Sequence, residues 1–120
     1  AYSLPSTTEE EKIYKEQVME EALNIASSVP VKIMEKSHQM LLLLDEYADK
    51  GSKIAISDVA VSAVMLKAAI SGASVNVYIN TRMMKDRTVA DKLNSYCDGL
   101  IKKGTKLADE IFERVEKKLR

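Results

Sequence analysis

Ser57-Asp58-Val59-Ala60-Val61-Ser62-Ala63-Val64-Met65-Leu66-Lys67-Ala68-Ala69-Ile70-Ser71-Gly72-Ala73-Ser74-Val75-Asn76-Val77-Tyr78-Ile79-Asn80-Thr81 decides the fold. From Val59 to Thr81 the only charged side chain is Lys67. A run of this length without Pro and with a single Gly is a helix, and one this apolar must be covered by neighbouring helices. It is also long enough to span a bilayer. Ser62, Ser71, Ser74, Asn76 and Asn80 speak against that, because each would need a hydrogen-bonding partner in lipid. Ser57 is the expected N-cap and Asp58 suits the positive end of the helix dipole.

On either side of this stretch the pattern is also helical. Thr7 and Thr8 precede Glu10 and Glu11 by three residues, the spacing of a capping box. Tyr14, Val18, Ala22, Ile25 and Val29 then form a stripe of helical period. Pro30 is expected to break this helix, because it lacks an amide donor and clashes with the preceding turn. A second helix is expected over about residues 31–49, with Met34, His38, Leu41, Leu42 and Ala48 on one side and Gly51 as terminator. The last helix, from roughly Thr88, carries Val89, Leu93, Cys97, Leu100, Gly104, Leu107, Ile111 and Val115 at three-four spacing. That stripe is long for a small chain and predicts packing against a second subunit. The reading is therefore all-α, a bundle of about four helices with a buried central one, assembling as a dimer.

Composition narrows the function. Hydrophobic residues make up 46% of 120, with 5% aromatics and no Trp, so Leu, Ile, Val, Met and Ala build the core. Eighteen Lys and Arg balance eighteen Asp and Glu, so there is no basic excess to track a phosphate backbone or an anionic bilayer. Nucleic acid and membrane are not expected partners. A single cysteine cannot form an internal disulfide, and with no visible signal sequence the expected compartment is the cytoplasm.

No phosphate-binding glycine loop, nucleophile elbow or clustered metal ligands stand out, so no metal is expected. His38 lies on an apolar face and reads as a seam histidine, and Cys97 as an inert buried thiol. Met83 and Met84 are adjacent and read as packing. The distinctive pattern is Asp58, Ser62, Met65, Ala69, Gly72, Asn76 and Asn80, which share one helix face. Asn76 and Asn80 have two readings: amides bonded across to neighbouring helices, or pocket-lining groups.

These residues carry a resemblance. Ser57-Asp58-Val59-Ala60-Val61, then Gly72-Ala73-Ser74-Val75-Asn76-Val77-Tyr78-Ile79-Asn80 with Asp86 beyond, resembles the formimidoyltetrahydrofolate cyclodeaminase and methenyltetrahydrofolate cyclohydrolase family. Leu4-Pro5 with Thr8-Glu9-Glu10-Glu11-Lys12, and Val29-Pro30, agree with its pattern. The resemblance implies a dimeric all-α enzyme with folate clefts near subunit contacts. It would act without metal on formimino- or methenyl-tetrahydrofolate. Asp58, Asn76 and Asn80 are then the expected pocket-lining residues, with Asp58, the only acid on what reads as a buried stripe, as the catalytic-site acid; Arg82, Lys85 or Arg87, just after Asn80, would pair with the anionic tail, Arg82 foremost. The family domain begins earlier, with a Gly-Gly-Gly-Ser segment and an acidic residue without counterpart here. Residues 1–120 thus read as the C-terminal part of one such domain, completed by a homodimer partner and the domain's N-terminal part. The alternative is a non-catalytic helical interaction module on the same scaffold.

Overall fold

The computed structural model describes residues 1–50 and 55–120. It contains three helices: α1 (Glu9–Lys50), α2 (Ile56–Thr81) and α3 (Arg87–Leu119). They run up, down and up in a bundle 67 × 23 × 17 Å. The expected termination at Gly51 falls outside the described residues.

The expected break at Pro30 does not occur. α1 runs unbroken for 42 residues with Pro30 inside it and buried. Proline removes one intrahelical bond and crowds the carbonyl four residues back. Here that carbonyl belongs to exposed Ala26, where water can reach it, while Ser27 turns its buried hydroxyl to the Leu23 carbonyl at 2.8 Å. Leu23, Met34 and Leu41, all in the core, hold the helix on both sides of the proline. Packing wins over the local rule, and four expected helices become three.

The helix starts are fixed largely by side chains. At α1 the capping box forms as expected: Glu11 N–H donates to Thr8 Oγ1 at 3.1 Å, and the Glu11 carboxylate accepts from the amides of Thr7 (2.9 Å) and Thr8 (3.3 Å). Hydrogen bonds from Thr7, then from Thr8, hold the Glu11 carboxyl below its ordinary 4.5. A depressed carboxylate stabilises the fold above its unfolded pKa, and that contribution is lost as pH falls through the folded value. NMR titration is expected to show the Thr7 and Thr8 amides shifting together with Glu11 at a midpoint below 4.5; a midpoint at or above it would show the box unformed.

At α2 the cap lies two residues earlier than expected. Ala55, not Ser57, is the N-cap, with no side-chain cap bond, and Ser57 is already helical. At α3 Asp86 caps, its Oδ1 accepting from Thr88 N at 3.1 Å and Val89 N at 3.2 Å. Glu20 of α1 reaches the same turn, accepting from the amides of Lys85 (2.7 Å) and Asp86 (3.1 Å). One carboxylate thus ties the α2–α3 turn to α1.

The core runs down the bundle axis through Met34, Leu41, Ile70, Val77, Cys97, Ile111 and Val115. Gly104 of α3 makes a close approach to α2; a Cβ there would lie 2.5 Å from Ile70 Cδ1. The α3 stripe is consumed inside the chain: Cys97, Gly104, Ile111 and Val115 are buried and Leu93, Leu100 and Leu107 pack against the core. An α1 of about 63 Å is long enough to cover an α3 of about 50 Å, so this stripe needs no second subunit.

α2 is the element left open. Only 33% of its most apolar 18 residues is buried. Among the described residues it is the one helix long and apolar enough to cross a membrane by length and composition. Ala63, Ile70, Ser74, Val77 and Thr81 face α1 and α3, while Val61, Met65, Val75 and Ile79 are exposed by 61, 66, 65 and 49%. The central helix is therefore covered on one side only.

Candidate functional site

The expected site residues lie on the open side of α2. Asp58 occupies the first turn and is exposed, not on a buried stripe. It lines a groove of about 240 Å³ with Leu44, Tyr47, Ala55, Val59 and Ser62. This groove shares Leu44, Tyr47 and Ser62 with a second one of about 410 Å³, walled by Met40, Leu43, Val61, Met65 and Leu66. The combined trough is apolar, with Asp58 as its one acid and the Ser62 hydroxyl beside it.

Asn76 and Asn80 sit at the other end of the same helix. Asn76 is exposed; Asn80 is half-buried and donates from Nδ2 to the Asn76 carbonyl at 2.9 Å. Neither amide bridges to another helix in the bonds present among the described residues. That bridging task falls to Thr81, whose Oγ1 donates to Asn94 Oδ1 of α3 at 2.7 Å. At 1.5 Å of rise per residue, Asp58 lies about 27 Å from Asn76 and about 33 Å from Asn80 along the axis. The helix face is shared, but the two ends cannot meet in one small pocket of a single chain.

The three cations beyond Asn80 differ in availability. Arg87 spans the α2–α3 turn, donating from Nη1 to the carbonyls of Thr81 and Met84 at 2.9 Å each. Lys85 pairs with Glu16. Arg82 is exposed at the α2 C-cap, with its side chain in none of the ion pairs among the described residues. Met84 is buried against Leu23 and Ala90, while Met83 is 42% exposed and takes a contact from the Tyr2 hydroxyl at 3.9 Å.

Two tyrosine–carboxylate bonds, unforeseen from the sequence, brace the bundle. Tyr78 donates to Asp98 at 2.5 Å and Tyr96 to Glu35 at 2.6 Å. Burial, then the Asp98 bond, raises the Tyr78 phenol; the Glu35 bond, then burial, raises that of Tyr96. Between them Cys97 is fully buried and its thiol is pushed up by burial, so it is not a nucleophile. His38 is half-buried beside the core face of α1. Among the described residues no three His, Cys, Asp or Glu side chains are placed to hold a metal ion.

A family profile described as formiminotransferase-cyclodeaminase matches residues 1–99. The chain belongs to this family. The signature positions now have places: Asp58 and Asn76–Asn80 at the two ends of the open α2 face, and Asp86 as a helix cap. Among named relatives, methenyltetrahydrofolate cyclohydrolase of Methylorubrum extorquens is 32% identical over 119 residues, covering 99% of this chain and 57% of that protein. Formimidoyltransferase-cyclodeaminase of Rattus norvegicus is 30% identical over 116 residues, covering 97% of this chain and 21% of that protein. That of Gallus gallus is 30% identical over 119 residues, covering 97% of this chain and 22% of that protein. The chain thus spans just over half of the bacterial relative and about a fifth of the animal ones.

Proposed function

We propose that this chain forms the C-terminal part of a cytoplasmic, dimeric enzyme of folate one-carbon metabolism, acting on methenyl- or formimino-tetrahydrofolate. The observation that carries the reading is similarity along 99% of the chain to an enzyme named as a methenyltetrahydrofolate cyclohydrolase. In the hydrolytic reaction, water adds to the bridging carbon and loses a proton, and one carbon–nitrogen bond then breaks as its nitrogen is protonated. In the deamination, a ring-forming nitrogen attacks the formimino carbon and ammonia leaves with a proton. Both need a group that takes a proton and one that returns it, which a carboxylate beside an apolar trough can do. Asp58 is assigned to that proton-transfer site. Asn76 and Asn80, with donors and acceptors at the open face, are assigned to the polar edge of the folate, and Arg82 to its anionic tail.

The test is a titration with methenyl-tetrahydrofolate, following loss of its ultraviolet band and the protein signal. Turnover above the buffer rate supports the reading. Asn76→Ala and Asn80→Ala should each weaken binding about tenfold, corresponding to one lost hydrogen bond of about 1.4 kcal/mol. Helix content by circular dichroism should be unchanged. Wild-type affinity in both variants would remove them from the site, and absence of both binding and turnover would leave a non-catalytic scaffold.

A further inference from the structure

A further groove lies on the opposite flank of α1 from the Asp58 trough. Val31 in its wall and Met40 in that of the trough stand about two and a half helical turns apart, and so point in opposite directions. It runs between α1 and α3 and holds about 550 Å³, more than either groove beside Asp58. A cleft of this size takes a small organic molecule.

The side chains of α1 explain why the two helices leave it open. Asn24, Ser27 and Ser28 line it, and each turns its polar group back onto its own helix. Asn24 Nδ2 donates to the Glu20 carbonyl at 3.0 Å, Ser27 Oγ to that of Leu23 at 2.8 Å and Ser28 Oγ to that of Ile25 at 2.6 Å. Short side chains satisfied in this way neither fill the space nor reach across it. α1 and α3 are tied at the ends instead, by Glu20 on the amides of Lys85 and Asp86 and by Glu35 on the Tyr96 hydroxyl. Those two carboxylates stand about 22 Å apart along α1.

The lining suits one kind of occupant. Val31 and Leu93 are half-buried and form an apolar floor, to which Val89 and the Tyr96 ring add exposed surface from α3. Lys32 of α1 and Lys92 of α3 stand on the two walls, and neither joins an ion pair or hydrogen bond among the described residues. Cations near the N-terminal end of α1 are matched differently, Lys12 to Glu9 and Lys85 to Glu16, and the Asp58 trough has no cation at all. Two lysines against the single carboxylate of Glu35 leave this groove positive in a chain of zero net charge. Packed helices lie about 8–10 Å apart, so flexible lysine stems can bring both ammonium groups to one acidic group from opposite walls.

We propose that the α1–α3 groove is a binding site for a small amphipathic anion, its flat apolar body laid on Val31, Val89, Leu93 and Tyr96 and its acidic group held between Lys32 and Lys92. The site uses none of the residues assigned to folate chemistry, so it stands or falls separately from that reading.

The probe is 1-naphthoate, two fused rings bearing one carboxylate, titrated into the isotope-labelled chain and followed by amide chemical shifts. The amides of Ser28, Lys32, Lys92 and Leu93 should move along one saturating curve, while those of Val61 and Met65 on the open α2 face stay nearly still. 1-Naphthalenemethanol, with the same rings and no charge, should bind the groove at least about fivefold more weakly. Lys32→Gln and Lys92→Gln should each weaken naphthoate about threefold to fivefold, with helix content unchanged because both side chains are exposed. Added salt should weaken it further, since exposed charges are screened. Groove amides unmoved up to the solubility of naphthoate, shifts confined to Val61 and Met65, equal affinity for the two naphthalenes, or undiminished affinity in the Lys32→Gln/Lys92→Gln double variant would each overturn the proposal.

Discussion

Gly104→Val is expected to lower stability by about 2–3 kcal/mol, or about 10 °C in Tm. The Cβ of any other residue at 104 would sit 2.5 Å from Ile70 Cδ1, and Ile70 is fully buried. Alanine brings that one atom, which Ile70 can partly yield to by turning its terminal methyl, and it gains about 1 kcal/mol of helix propensity over glycine. Valine adds two methyl groups that meet the same wall, so α2 and α3 must separate where they pack closely. Thermal denaturation by circular dichroism should rank Gly104→Val well below Gly104→Ala. A valine variant melting within about 2 °C of the wild type would show that the two helices do not meet here as closely as described.

Asp58→Asn is expected to do the reverse, sparing the fold and removing the chemistry. On the proposed reading it lowers turnover of methenyl-tetrahydrofolate on the order of 100-fold or more, the usual contribution of a positioned proton-transfer group. Asp58 is exposed and belongs to the first turn of α2, so its favourable effect on the helix dipole is at most about 1 kcal/mol. Asparagine keeps the shape and removes the charge. The decisive comparison is kcat against melting temperature for the same preparation. Turnover retained within about twofold would take Asp58 out of the proton-transfer role.

What the sequence made legible follows from how local each signal is. The capping box at Thr8 and Glu11 is settled within three residues, and it forms as the spacing requires. The α2 stretch is helical by composition alone, and its observed start at Ile56 lies within about two residues of the expected one, the ordinary uncertainty of a helix end. Which side of α2 is covered was not legible, because a helix apolar nearly all round points nowhere in particular. Pro30 misled for the opposite reason: its cost is local, whereas Leu23, Met34 and Leu41, which hold the helix through it, answer to distant partners. The α3 stripe was read as too long for one chain to cover, and it is α1, unbroken through Pro30, that is long enough to cover most of it. The common face of Asp58, Asn76 and Asn80 was legible from the three-four spacing. Their separation was equally legible, in the 18 and 22 residues of helix between them. The Glu20 tie and the two tyrosine–carboxylate bonds join residues between 20 and 66 positions apart and leave no periodic trace.

Those two tyrosine bonds have a mechanical consequence. Tyr96 and Asp98 stand two residues apart on α3, one gripping Glu35 of α1 and the other Tyr78 of α2. A single turn of α3 therefore joins all three helices, between the Glu20 tie at the α2–α3 turn and the Arg114 pairs with Asp45 and Asp49 toward the other end of the bundle. Amide exchange should slow toward residues 94–98 and quicken toward both tips, so that the two ends of the open α2 face can be adjusted with little disturbance to each other.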